Sequence, residues 1–215
     1  MKNPLEKQPE TEKLKSYFEN SDLVVLAETH HGTHYKTIQQ FLNQFLPEIE
    51  GVFFEIPITY QDSIDLYMTT GEIDQKFQKF IDDAKKEGKD ITDLLNALNL
   101  IKNEQKQAIC IDSAKLPTKK YDKKSPQGHY YLHGESRDED MFTNIRTQQS
   151  KNPGKYLAIA GSAHIKKGKH HSSNSDTLGT RLSQTFPDKY KSILLGTKDT
   201  LKNEKITDFD DVINE

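Results

Sequence analysis

One cysteine, Cys110, is all that this 215-residue chain carries, so no intrachain disulfide can form and no zinc site can be built from thiolates. It stands in the apolar run AICIDS, where it reads as a packed thiol rather than a nucleophile. The chain has neither a Gly-x-Ser-x-Gly elbow nor a Cys-x-x-Cys-His haem attachment motif. Neither sign of charge is in excess: the net charge is −3, with charged residues of both signs making up 29%. That balance gives no general electrostatic reason to bind nucleic acid or an acidic membrane surface. No apolar stretch approaches the length of a membrane span. The opening MKNPLEKQPETEKLK lacks the apolar core of a secretory signal, so the simplest address is the cytoplasm, with an export signal of another kind left open. Repeats are missing too, and no linker separates two regimes of composition. Residues 1–215 therefore read as a single domain, long enough to bury a core although only 33% of the residues are hydrophobic.

What is present is a series of short apolar runs, each followed by turn or helix signals. Leu23–Ala27 is β-branched and unbroken, as in a strand covered on both faces. Tyr35–Phe45 then places Ile38, Phe41, Leu42 and Phe45 at helical spacing, and GVFFEIP follows as a second strand. Strand, helix, strand implies a parallel crossover. From about 60 to 106 the chain is polar and helix-prone, with Ile73, Phe77, Phe80 and Ile81 expected on one face. Ile91, Leu94, Leu95, Leu98 and Ile101 repeat the pattern. Gln107–Asp112 is a third strand, Lys115–Gly128 reads as a loop, and Arg137–Gln149 as a helix. Tyr156–Ala160 and Lys191–Leu195 are further strands, with a short helix at Leu178–Phe186 between them. The expectation is an α/β fold: a three-layer sandwich on a mainly parallel sheet, core about 20–197, with a helical insertion at about 60–106.

In open parallel sheets, ligands bind beyond the carboxyl ends of the strands. The first strand is followed by Glu28 and, in the run AETHHGTH, by His30, His31 and His34. The second ends on Glu55, the third on Asp112, and the fourth leads into His164. A glutamate inside an apolar run such as VFFEIP costs several kcal/mol unless it is partnered. Its natural partners are an arginine, a histidine or a metal ion. Each group also has a plainer reading. Glu28 fits a carboxylate at a helix N-terminus, the histidines fit exposed loop positions, and Arg137–Asp138 fits a solvated helix start with the aspartate as cap. His164 fits a histidine bonded to a backbone carbonyl, and His170 and His171 fall in a polar run. His129, Tyr130, Tyr131 and His133 lie in loop-like sequence and stay open.

These motifs resemble a known family. LAETHHGTHYKTIQQFL is similar to the opening motif of the erythromycin esterase-like and ChaN-like superfamily, with Glu28, His31 and Gly32 at the motif positions. GVFFEIP resembles that family's second strand, ending in Glu55; RDEDMFTNI resembles its Arg-Asp-x-x-Met-x-x-Asn helix through Arg137, Asp138, Met141 and Asn144. GSAHIKKG is similar to the late Gly-x-x-His signature, matching His164, which Tiki/TraB-like proteins share. Ala27 replaces a usual glycine, His34 a frequent acid, and Gly161 the first histidine of the late motif. The chain is also short for the helical additions that shape a macrolide pocket. These departures point away from antibiotic hydrolysis in particular.

The resemblance implies a hydrolase in which His31 activates water for attack on an ester or related bond, with Glu28 orienting it. His164 and Arg137 would stabilise developing negative charge or position a small-molecule substrate, and Glu55 would orient Arg137 or a histidine. His30, His34, Asp112 and Asp138 are the candidate substrate contacts. A variant adds a divalent metal on Glu28, His31, Glu55 and His164. The alternative is a haem- or metal-binding module without turnover, with Tyr130 and His133 as local haem candidates. Oligomeric state is not legible.

Overall fold

The computed structural model describes residues 9–29, 35–86, 91–114, 118–121, 129–132, 134–169, 175–196 and 206–214. Helix α1 (Pro9–Asn20) leads into β1 (Leu23–Glu28), α2 (Tyr35–Phe45) and β2 (Gly51–Pro57). Three helices follow: α3 (Gln61–Thr70), α4 (Gln75–Lys86) and α5 (Thr92–Asn103). The chain continues with β3 (Gln107–Asp112), β4 (Thr118–Tyr121), β5 (His129–Leu132) and α6 (Gly134–Lys151). It ends with β6 (Tyr156–Gly161), α7 (Ser162–Ile165), α8 (Leu178–Thr185), β7 (Tyr190–Gly196) and β8 (Asp211–Asn214).

Among the described residues, six strands form one sheet in the order β3-β2-β6-β1-β7-β8, and every neighbouring pair is parallel. The sheet is thus wholly parallel rather than mainly so. The antiparallel pair β4–β5 stands apart from it, inside a stretch that reads as loop from its Lys and Asp content.

Strand alternation divides the core in two. Val24, Leu26, Val52, Phe54, Leu157 and Ile159 face the layer of α1–α5, packing with Phe18, Ile38, Leu42, Phe77 and Leu98. Val25, Ala27, Phe53, Ala158 and Ala160 face the other layer, packing with Met141, Ile145, Ile165, Leu178 and Leu182 of α6–α8. Helices on both faces are what strands with no polar face require. The helices between β2 and β3 differ from expectation at one point. Ile73 precedes α4 and is exposed (40%), while Phe77 and Ile81 are buried. An apolar residue three or four positions from a helical face joins that face only if the helix reaches it, and here Asp74 stops it. Its carboxylate accepts from Phe77 N at 2.7 Å, as an N-terminal cap.

Helix α6 begins at Gly134, one turn earlier than the sequence pattern indicates. Asp138 is therefore inside the helix and fully buried, not a solvated cap.

Candidate functional site

The carboxyl ends of β1, β2, β3 and β6 open onto one edge of the sheet. Glu55 enters from β2, Asp112 from the end of β3, and His164 from the one-turn helix α7 directly after β6. Arg137 and Asp138 reach the same place from α6. Glu28 ends β1 on that edge, in register with Gly161 and Leu195. His30, His31 and His34 lie outside the described residues.

Arg137 is the hub. Its Nε donates to Asp112 Oδ1 and its Nη2 to Asp112 Oδ2, each at 2.6 Å, a two-pronged grip matched to the carboxylate. Nη2 also donates to Glu55 Oε1 at 2.6 Å, and Nη1 lies 3.2 Å from His164 Nε2. Burial alone would pull the guanidinium down; Asp112 and Glu55 outweigh it and raise it further, so Arg137 stays a cation. Glu55 Oε2 accepts from Gly161 N at 2.6 Å, which ties β2 to the end of β6. Asp112 departs from the alternation of its strand. Ala108 and Cys110 face the α1–α5 layer, yet Asp112 meets α6 on the other side, where the β2–β3 register shifts between Phe54 and Pro57.

His164 is held at its second nitrogen by Asp138, whose Oδ1 bonds Nδ1. A carboxylate there keeps the proton on Nδ1 and leaves Nε2 to face Arg137 and, at 3.6 Å, Glu55 Oε1. Burial alone would lower the His164 pKa, but Glu55 and Asp138 carry it above its ordinary value. The other oxygen of Asp138 accepts from Leu178 N at 3.1 Å. That amide opens α8, where a carboxylate also meets the favourable end of the helix dipole. Asp138 thus caps a helix forty residues away rather than its own.

Ser113 and Asp140 are partners that the sequence reading did not reach. Ser113 N donates to Asp112 Oδ1 at 2.7 Å, and its Oγ donates to Asp140 Oδ2 at 2.5 Å. Asn144 Nδ2 donates to Ile111 O at 2.8 Å. Arg137, Asp140 and Asn144 recur at helical spacing, so α6 meets the end of β3 with a polar stripe; that periodicity was the available signal.

Of the four expected metal ligands, Glu55 and His164 both turn an atom, Oε1 and Nε2, toward Arg137, and His31 lies outside the described residues. Among the described residues no group of three or more His, Cys, Asp or Glu side chains is placed to hold a metal ion. Tyr130 belongs to β5, where it is in register with Lys120, and His133 lies outside the described residues. Cys110 is buried mid-strand; burial, with the Asp65 charge adding to it, pushes its thiol up to about 12, which keeps it protonated.

The chain is an α/β protein carrying a partly buried arginine–carboxylate–histidine network at the carboxyl edge of a parallel sheet. No family model and no curated protein matches its sequence. Solved structures do match. One is the Pasteurella multocida toxin, whose C-terminal region is reported to hold a thiol-protease-like catalytic triad (TM-score 0.63, 12% identity, 89% of this chain and 25% of that one). A Bacillus cereus protein matches equally well (TM-score 0.63, 12% identity, 91% and 70%). Haem-binding ChaN of Campylobacter jejuni aligns at a TM-score of 0.45 and 15% identity over 94% of this chain and 90% of its own, too loose to support a shared function. The chain spans about a third of the bacterial toxin chains it matches first, 36% of each. At these identities the likeness establishes a common fold and a distant structural relationship.

Proposed function

We propose that the chain is a hydrolase acting on an ester or related bond, with its site at the carboxyl edge around Arg137. The observation that carries this reading is Arg137 itself. Two carboxylates hold it in a fixed orientation, and among the described residues one Nη1 N–H has no acceptor. A partly buried guanidinium aimed by three salt-bridge bonds is a preorganised donor for charge that develops on an oxygen during acyl transfer. Glu55 and Asp112 are positioning residues, and His164, seated by Asp138, shapes the field beside Nη1. His31 is the general base in this reading, with Glu28 beside it; both roles come from the resemblance to the erythromycin esterase-like and ChaN-like superfamily. His30 and His34 are assigned to substrate on the same ground. The nucleophile is water and not a thiol, since the chain's single cysteine is buried and protonated.

The test is a panel of chromogenic carboxylic and phosphate esters with the wild type, His31→Ala and Arg137→Lys. Turnover by the wild type with losses of about 10²–10³-fold in kcat for each variant is the expected result. Equal rates in all three proteins, or no turnover on any ester together with stoichiometric binding of haem or Mn²⁺, would overturn it in favour of a binding module.

A further inference from the structure

Strand β3 is one edge of the sheet, so backbone groups on its outer side have no neighbouring strand. Two of them are met by one side chain. Cys110 N donates to Gln61 Oε1 at 2.7 Å, and Gln61 Nε2 donates to Ala108 O at 3.0 Å. In a parallel ladder, a residue opposite Ile109 would donate its N–H to Ala108 O and accept the Cys110 N–H on its own carbonyl. The Gln61 carboxamide makes those same two bonds from a single amide group. An antiparallel neighbour would need two different residues to make them. The edge therefore carries the bonding pattern of a parallel seventh strand, occupied by a side chain from the first turn of α3. Asp65 Oδ1 keeps the carboxamide there, accepting from Nε2 at 2.8 Å.

Along this edge runs an open groove of about 480 Å³ between α3 and α6. At the amino end of β3 it is lined by Lys106 and Lys151, whose side-chain ammonium groups have no ion-pair or hydrogen-bond partner among the described residues. Asp65 lies on its α3 wall. We infer that this groove docks an extended segment of a partner protein, which displaces the Gln61 carboxamide and adds to β3 in parallel as a seventh strand. Parallel addition puts the amino end of the segment at Lys106 and Lys151, so that end is acidic, while the middle, beside Asp65, is uncharged. Strand addition of this kind draws affinity from main-chain bonds and selectivity from the walls. The helices on either side of β3 hold off a second sheet edge flanked by helices of its own, whereas a single extended chain enters between them.

The inference does not depend on the hydrolase reading. It is tested with the full chain and two fluorescent capped peptides, one of two glutamates followed by alternating valine and threonine, the other with two lysines in their place. Fluorescence anisotropy is expected to show binding of the glutamate peptide only. Gln61→Ala, which removes the resident competitor, is expected to tighten that binding about tenfold. The double variant Lys106→Glu/Lys151→Glu, at two surface positions, is expected to reverse the preference, and it decides the matter alone if Gln61→Ala does not fold. Equal binding of the two peptides, no binding of either to any variant, or no tightening in folded Gln61→Ala would overturn the inference. Self-association of Gln61→Ala without peptide would overturn it as well, by making a second copy the occupant.

Discussion

Replacing Arg137 by methionine keeps a long unbranched side chain at the hub of the site and removes only the charge and the donors. Asp112 and Glu55 then lose the cation they share. Asp112, 2% exposed at its side chain, keeps the Ser113 N–H, and Glu55, 18% exposed, keeps that of Gly161. Stripping one partner from a buried pair costs about 3–5 kcal/mol. The residual solvent contact of Glu55 and of Arg137 itself, 19% exposed, places the expectation at the lower end, about 3 kcal/mol. Adding Asp112→Asn removes the more deeply buried of the two charges, so the double variant is expected to recover about 1–2 kcal/mol rather than lose more. Urea unfolding at pH 7 with an unchanged denaturant slope reads both numbers. A loss below about 1 kcal/mol in the single variant, or additive losses in the double, would refute the account of Arg137 as the cation on which the carboxylates depend.

His164 supplies a pH test. Its folded pKa is raised above its ordinary 6.5, so its contribution to stability is complete below that pH and is lost as pH rises through the folded value. The stability gap between wild type and His164→Gln is therefore expected to be widest in acid and to narrow on going alkaline, read by unfolding between pH 5 and 9; a gap that widens with pH contradicts it. Phe18 is 1% exposed and stacks on Phe45 with ring centroids 4.1 Å apart, so Phe18→Ala is expected to cost about 3–5 kcal/mol and to loosen α1 from β1, visible as faster amide exchange in α1. At Gly179 an added Cβ would fall 1.8 Å from Ile165 O, which is backbone and cannot swing aside. Gly179→Ala is expected to cost about 3 kcal/mol and to shift α7 against α8, with a change in the NMR signals of the His164 ring as the local reporter.

How far the sequence could be read depended on whether each element advertises itself locally. Strands β1, β2, β3, β6 and β7 did, because a strand covered on both faces is an unbroken apolar run. Helix α1 did not: PETEKLKSYFEN is polar, and its described anchor in the core, Phe18, makes no periodicity. Strand β8 is four residues long, and its support is the neighbour β7 rather than its own composition. At the site, Glu55, Asp112 and His164 were legible as polar groups closing apolar runs, and the family resemblance added Arg137 and Asp138. The capping of α8 by Asp138 was not legible, since nothing within α6 encodes a partner at Leu178. Ser113 and Asp140 were missed for the same reason: each looks like an ordinary surface residue until β3 and α6 are brought together.

The order of strands has a consequence for how the chain is made. β1 and β2 are consecutive in sequence but not adjacent in space; β6 lies between them and pairs with both. As the polypeptide emerges from the ribosome, β1 and β2 are present for roughly a hundred residues before the strand that joins them exists. During that interval two of the most apolar segments in the molecule have open edges. The site is later still, because it draws on residues as far along the chain as Leu178, and no shorter amino-terminal stretch can contain it. A nascent chain of this topology is exposed to aggregation until β6 inserts, and contacts so distant in sequence make that step slow.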